Sequence, residues 1–157
     1  MNADELALEV EIQKKLIKEI LREINKLLED TGDTEPGAVV KTAAASFVCQ
    51  CYNGIENILK GILRYADVSI PAGGNWRLSL LKNFKTTKNK DALPNLFDDD
   101  LYTKINIMRR FRHVVLHGYS FQLEWKDIRR ALYETPDLIA VVFERIENYI
   151  KREKKNN

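Results

Sequence analysis

Apolar residues recur at helical spacing along most of the chain. From Leu16 to Leu28, leucine and isoleucine return every three or four positions, with lysine, glutamate and arginine between them. The opening residues Leu6, Leu8, Val10 and Ile12 alternate as in a strand, but no partner strand is in sight, so we extend the helical segment over Ala3 to Asp30. This spacing predicts one long amphipathic helix. A second stripe predicts a helix from about Ala38 to Ala66, and the glycines and proline of "TGDTEPG" separate the two.

Shorter helical patterns fill the second half. "WRLSLLKNF" (Trp76–Phe84) predicts a short helix. Three aspartates, Asp98 to Asp100, supply an N-cap and favourable charge for a third long helix, which we expect to end at Gly118. "LEWKDIRRALYE" predicts a further short helix, and Asp137 to Lys151 predicts the last one.

No segment makes a convincing strand, so we expect an all-α fold. The simplest arrangement is a single domain over residues 1–157, built as an antiparallel, up-and-down bundle. A polar, basic loop is expected at about 85–97 and a frayed basic tail at about 152–157. Gly54 and Gly61 are seven positions apart and share a helix face, which predicts close approach by a neighbouring helix.

Composition excludes few classes of function. The net charge of +2 does not by itself indicate a nucleic-acid-binding protein. No apolar run approaches the ~20 residues that span a bilayer, and the acidic N-terminus does not resemble a secretory signal. The expected location is therefore the cytoplasm, with no membrane partner. Cys49 and Cys51 point about 200° apart on a helix, so we expect reduced core thiols rather than a C-x-C site.

The candidate chemistry lies in one stretch, "RRFRHVVLHGY" (Arg109–Tyr119), which holds both histidines of the chain and three arginines. One interpretation is structural: Val114, Val115 and Leu116 pack and the arginines are solvated. A second is a zinc site, because His113 and His117 share a helix face. No glutamate lies between them and no third ligand is near in sequence, so we expect no metal.

The third interpretation is phosphodiester cleavage. Breaking an RNA chain without metal needs a base for the 2′-OH proton, an acid for the leaving 5′-oxygen, and a cation for the developing charge. Histidine suits the proton roles and arginine the charge. Arg112 and His117 supply this pair as R-x-x-x-x-H.

Helix geometry constrains such a site. Five residues place Arg112 and His117 about 140° apart on an ideal helix, so they do not converge on one phosphate. Either the helix loosens toward Gly118, or two chains share the site. A two-fold dimer would bring two Arg112 and two His117 side chains to one cleft.

The stretch resembles the R-x-x-x-x-H-x-Y signature of HEPN-domain ribonuclease toxins of the HepT type, which are paired with a minimal nucleotidyltransferase antitoxin. "AASFVCQCYNGIENILKGIL", "GGNWRLSLL" and "FQLEWKDI" are similar to other parts of that family, with Arg77 where a histidine is expected. The likeness covers about residues 3 to 152.

The resemblance implies a homodimeric, metal- and cofactor-independent endoribonuclease toxin that cleaves RNA, with tRNA among the candidates. It implies catalytic roles for Arg112 and His117. Tyr119 matches the tyrosine to which the antitoxin transfers AMP, and that AMP would block substrate phosphate. His113 would orient RNA or His117.

Three further residues are candidate supports. Arg109 and Arg110 are candidate contacts to the RNA backbone. Glu56, an acid in an apolar helix, would pair with Arg112 or anchor the arginine cluster. Two alternatives remain open: a non-catalytic HEPN-like module that binds a nucleotide or a partner protein, and a purely structural dimerisation domain.

Overall fold

The computed structural model describes residues 1–87, 93–119 and 122–156. Within these ranges the chain forms five helices and no strand; a single isolated bridge joins Lys85 to Phe97. The all-α prediction is therefore confirmed, while the antiparallel order and the dimer stay predictions. Among the described residues, none of the helices combines the length and apolar character needed to cross a bilayer.

The first long helix, α1, spans Ala3–Thr31. It begins where the sequence favours it, because Asn2 and Glu5 form a reciprocal capping box: Glu5 N donates to Asn2 Oδ1 at 2.9 Å and Asn2 N donates to Glu5 Oε2 at 2.8 Å. The second, α2, spans Ala38–Tyr65 and touches every other helix. It supplies much of the buried core and packs against α4, the helix that carries most of the candidate residues.

Close packing of α1 on α2 confirms the prediction from the two glycines. A Cβ added at Gly54 would lie 2.6 Å from both Cδ1 and Cγ1 of Ile17 on α1. At Gly61, an added Cβ would meet Glu9 Oε2 at 3.2 Å. The absence of side chains at these two positions lets the two helix backbones approach.

The remaining helices are α3 (Trp76–Lys82), α4 (Asp99–His117) and α5 (Trp125–Asn156). Asp98 caps α4 by accepting a hydrogen bond from Leu101 N at 2.8 Å, as the aspartate run predicted. Residues 88–92 of the expected basic loop, which include Lys88 and Lys90, lie outside the described residues.

One correction concerns α5, for which the sequence predicted two helices. Pro136 lies inside a single helix. A proline there loses one backbone hydrogen bond and costs ~3 kcal/mol or more. Packing offsets that cost, because Leu132, Thr135 and Ile139 are buried on one continuous stripe across the proline.

A second correction concerns the tail, which was expected to fray from about residue 152. It is helical to Asn156. Two contacts with other helices hold it: Tyr65 donates to Glu153 at 2.9 Å, and Lys154 pairs with Asp4 at 2.8 Å.

An ion pair also ties α1 to α5. Lys14 is buried and its ammonium lies 2.5 Å from Glu147 and 2.8 Å from Glu11. Burial alone would lower the pKa of Lys14, but the two carboxylates outweigh it and raise that pKa. The hydrogen bond from Lys14 in turn lowers the pKa of Glu147.

Candidate active site

The C-terminal half of α4 extends beyond the core. Met108 is its last buried residue, and Val114 and Leu116 are 49% and 55% exposed. The structural interpretation of this stretch expected Val114, Val115 and Leu116 to pack; Val115 is half-buried, whereas Val114 and Leu116 are exposed. Apolar side chains left this exposed on a helix are candidates for contact with another surface.

Arg112 is held against α2. Its Nε donates to Oδ1 of Asn53 at 2.6 Å, across 59 residues of sequence. The Cys49 thiol, one turn earlier on α2, lies near the same guanidinium. Burial raises the pKa of Cys49 to about 11, and the positive charge of Arg112 partly opposes this effect. Both cysteines are free and buried, as the sequence predicted.

Glu56 does not pair with Arg112 as expected. Its carboxylate is 3% exposed and pairs with Arg77 of α3: Arg77 Nε donates a hydrogen bond to Oε1 at 3.3 Å and lies 3.1 Å from Oε2. Asn53 takes the place beside Arg112 instead. The sequence carried a signal for this role: Asn53 and Glu56 are three residues apart, so both polar groups share one face of an apolar helix.

Tyr52 lies between these polar groups. Burial raises the pKa of its phenol, the Glu56 carboxylate raises it further, and the charges of Arg109 and Arg77 oppose the rise. Arg77 occupies the position where the family resemblance leads one to expect histidine, and its guanidinium pairs with the buried Glu56 carboxylate. The stripe of Cys49, Tyr52, Asn53 and Glu56 forms the wall behind the α4 arginines.

The two histidines lie together on the exposed side of α4. The ring centroids of His113 and His117 are 4.3 Å apart, with 43° between the ring planes. Their i, i+4 spacing places both rings on one face, as predicted. Within the ranges that the structure describes, no group of three or more His, Cys, Asp or Glu side chains is arranged to hold a metal ion.

Gly118 ends the helix, as predicted. Its backbone is extended, with φ −129° and ψ −172°, a conformation open to any residue. The glycine is favoured for a different reason: a Cβ there would lie 3.0 Å from the carbonyl oxygen of Val114. After it the chain leaves the helix axis, and Tyr119 is 69% exposed.

The directions of Arg112 and His117 differ, as helix geometry predicted. The α-helix continues without interruption through His117, so the alternative of a loosened helix is wrong. Arg112 faces α2, whereas the imidazole of His117 lies beside His113. Sharing of the site between two chains stays a prediction.

The other candidate cations lie along the same helix. Arg109 is half-buried and donates from Nε to Asn106 at 2.8 Å, while Arg110 is exposed. On the neighbouring loop, Lys85 lies over the Tyr102 ring at 4.9 Å and pairs with Asp99 at 3.2 Å. The exposed Arg110 is therefore better placed than Lys85 to meet an anionic ligand.

Comparison with known proteins now adds to this geometry. Residues 43–153 match the family described as HepT-like protein. The chain belongs to this family. No curated protein matches the chain, and no solved structure matches it either. In this HepT-like protein, every candidate residue from Cys49 to Tyr119 falls within the matched segment, whereas α1 precedes it.

Proposed function

We propose that this HepT-like protein is the toxin of a toxin–antitoxin pair and that it cleaves RNA, with tRNA as a candidate substrate, in the cytoplasm. One observation carries the proposal. Arg112, His113, His117 and Tyr119 are gathered at the exposed end of α4, where Asn53 holds the arginine. The residue types are those needed for phosphodiester cleavage without metal.

Each residue has a role in the proposed reaction. The 2′-oxygen attacks phosphorus, loses its proton, and displaces the 5′-oxygen to leave a 2′,3′-cyclic phosphate. Arg112 stabilises the charge on the phosphorane oxygens, since a guanidinium stays charged and matches phosphate geometry. His117 transfers a proton. Arg109 and Arg110 contact the flanking RNA backbone.

A homodimer completes the site in this proposal. Arg112 and His117 of one helix face different directions, so a two-fold axis near the end of α4 would bring Arg112 of one copy to His117 of the other. The exposure of Val114 and Leu116 supports this arrangement, because a second copy would cover them.

Tyr119 is the proposed point of control. A cognate minimal nucleotidyltransferase would transfer AMP from ATP to the tyrosine oxygen. The side chain is 69% exposed and lies two residues from His117, so the modifying enzyme has access to it. The added phosphate would repel the substrate phosphate and its bulk would occupy the same space.

The test measures RNA cleavage in excess EDTA by protein that was produced and purified without the antitoxin. We expect wild-type cleavage to persist, and Arg112→Ala and His117→Ala each to lose 10²-fold or more with unchanged folding. Lys104→Ala is the matched control, an exposed cation on the same helix that pairs with Asp100. If no RNA is cleaved and a mass spectrum shows that Tyr119 is unmodified, this proposal fails and the non-catalytic binding module becomes the better interpretation.

A second measurement tests the control step. Incubation with the antitoxin and ATP should add the mass of AMP to the wild type and abolish cleavage. Tyr119→Phe should cleave RNA and gain no mass. If the phenylalanine variant is modified as fully as the wild type, Tyr119 is not the acceptor.

A further inference from the structure

The stacked histidines raise the question of why one helix face carries two imidazoles. Cleavage needs two proton transfers, one at the 2′-oxygen and one at the 5′-oxygen. These oxygens lie on opposite sides of phosphorus in an in-line displacement. In two-metal sites, the two ions that stabilise the attacking and leaving oxygens lie about 3.5–4 Å from each other. The centroids of His113 and His117 are 4.3 Å apart.

This match of spacing points to a pair acting together. We propose that His113 and His117 of one chain are the base and the acid of the reaction, and that Arg112 is supplied by the second copy. The inference rests on the proposed ribonuclease function and deepens it. His113 thereby becomes a catalytic residue, and a single chain supplies both proton-transfer groups.

We assign the role of acid to His117, which lies in the last turn of α4, and the role of base to His113, which directly follows Arg112. The sulfur-substituted RNA described below distinguishes this assignment from the reverse one.

Three groups on α2, behind the arginines, are poorly suited to replace either histidine in proton transfer. On α2, the Cys49 thiol faces Arg112 and the Tyr52 phenol faces Arg109. Burial raises the pKa of both groups, so both stay neutral at neutral pH. The Glu56 carboxylate is already engaged by Arg77.

The step balances within the pair. His113 takes the 2′-OH proton as the bond from the 2′-oxygen to phosphorus forms. His117 gives its proton to the 5′-oxygen as the bond from phosphorus to that oxygen breaks. The products are a 2′,3′-cyclic phosphate and a 5′-OH, and proton exchange with water restores both rings.

The first test uses RNA in which sulfur replaces the bridging 5′-oxygen. A thiolate leaves without protonation, so such a substrate removes the need for an acid and retains the need for a base. On ordinary RNA, we expect His113→Ala and His117→Ala each to lose 10²-fold or more. On the sulfur substrate, His117→Ala should recover to near the wild-type rate and His113→Ala should not.

Several outcomes would overturn the inference. Ordinary-RNA cleavage by His113→Ala within a few fold of wild type would remove His113 from the chemistry. Recovery of activity in His113→Asn, whose amide is polar but neither accepts nor releases a proton at neutral pH, would show a positioning role instead. Rescue of His113→Ala by sulfur would reverse the assigned roles. A wild type that cleaves no RNA would sink the ribonuclease proposal itself.

The second test asks which chain supplies each group, using heterodimers purified through two different tags. His113→Ala paired with His117→Ala should stay inactive, because neither chain has an intact pair. Arg112→Ala paired with His117→Ala should regain about half the wild-type rate, since one of two symmetric sites is then complete. Activity in the first heterodimer, or none in the second, would contradict the arrangement. A monomer at every concentration would contradict the shared site.

Discussion

The close approach of α1 and α2 makes a prediction of opposite sign for two similar substitutions. Gly54→Ala places a Cβ 2.6 Å from two carbons of Ile17, whose side chain is 1% exposed. Carbon atoms pack at about 3.5–4.0 Å, so either the buried Ile17 side chain or one of the two helices must shift by about an ångström. Gly61→Ala places its Cβ 3.2 Å from the Glu9 carboxylate oxygen, which is the end of a half-exposed side chain.

The magnitudes follow from two competing terms. Alanine is favoured over glycine within a helix by about 1 kcal/mol, and this gain applies at both positions. Overpacking of a buried contact costs about 1–3 kcal/mol, and two contacts at 2.6 Å place Gly54→Ala near the upper end. The free energy of unfolding should therefore fall by about 2 kcal/mol in Gly54→Ala. In Gly61→Ala it should rise by up to about 1 kcal/mol, because Glu9 can move aside.

Urea denaturation followed by circular dichroism measures both changes, at one fixed protein concentration because dimerisation affects stability. Ile17→Ala provides an internal check. Alone it should cost about 2–5 kcal/mol, but in the Gly54→Ala background it should cost less, since it removes both Cγ1 and Cδ1, the two atoms that the new Cβ would meet. A Gly54→Ala variant as stable as wild type, or full additivity with Ile17→Ala, would refute the steric reasoning.

Three further predictions concern the site and the ion pairs. Asn53→Ala should lower the cleavage rate about 10- to 100-fold, because it removes the hydrogen bond that holds Arg112, whereas the control Asn57→Ala should cleave at the wild-type rate. Equal cleavage rates for the two variants would exclude a positioning role for Asn53. The folded-state pKa of Glu147 is lowered, so its contribution to stability should be present above about pH 4.5 and disappear as the pH falls through the folded-state value. Glu147→Gln should flatten this acid limb of the denaturation midpoint, and an unchanged limb would contradict the ion pair. Because burial raises the pKa of Cys49 and Cys51 to about 11 and 12, an alkylating reagent at pH 8 should label both only after unfolding, so rapid labelling of the folded protein would count against their burial.

Local patterns in the sequence were sufficient for most of the helices. The capped start of α4, its end at Gly118, and the shared face of Gly54 and Gly61 all follow from residues within a few positions of one another. The same holds for the histidine pair, because an i, i+4 spacing dictates which side chains meet on a helix. These features needed no knowledge of the tertiary structure.

Partners between helices were decided by the tertiary structure alone. Arg112 and Asn53 are 59 residues apart, and no local rule selects Asn53 over Glu56 as the partner. The choice depends on how α2, α3 and α4 pack, because Arg77 of α3 reaches the buried carboxylate and leaves the asparagine for α4. Pro136 also depends on tertiary packing. Proline locally favours a break in the helix, and burial of the stripe on either side of Pro136 outweighs that preference. A sequence pattern specifies what lies within one turn of a residue, whereas the energy of burial decides which distant group completes a site.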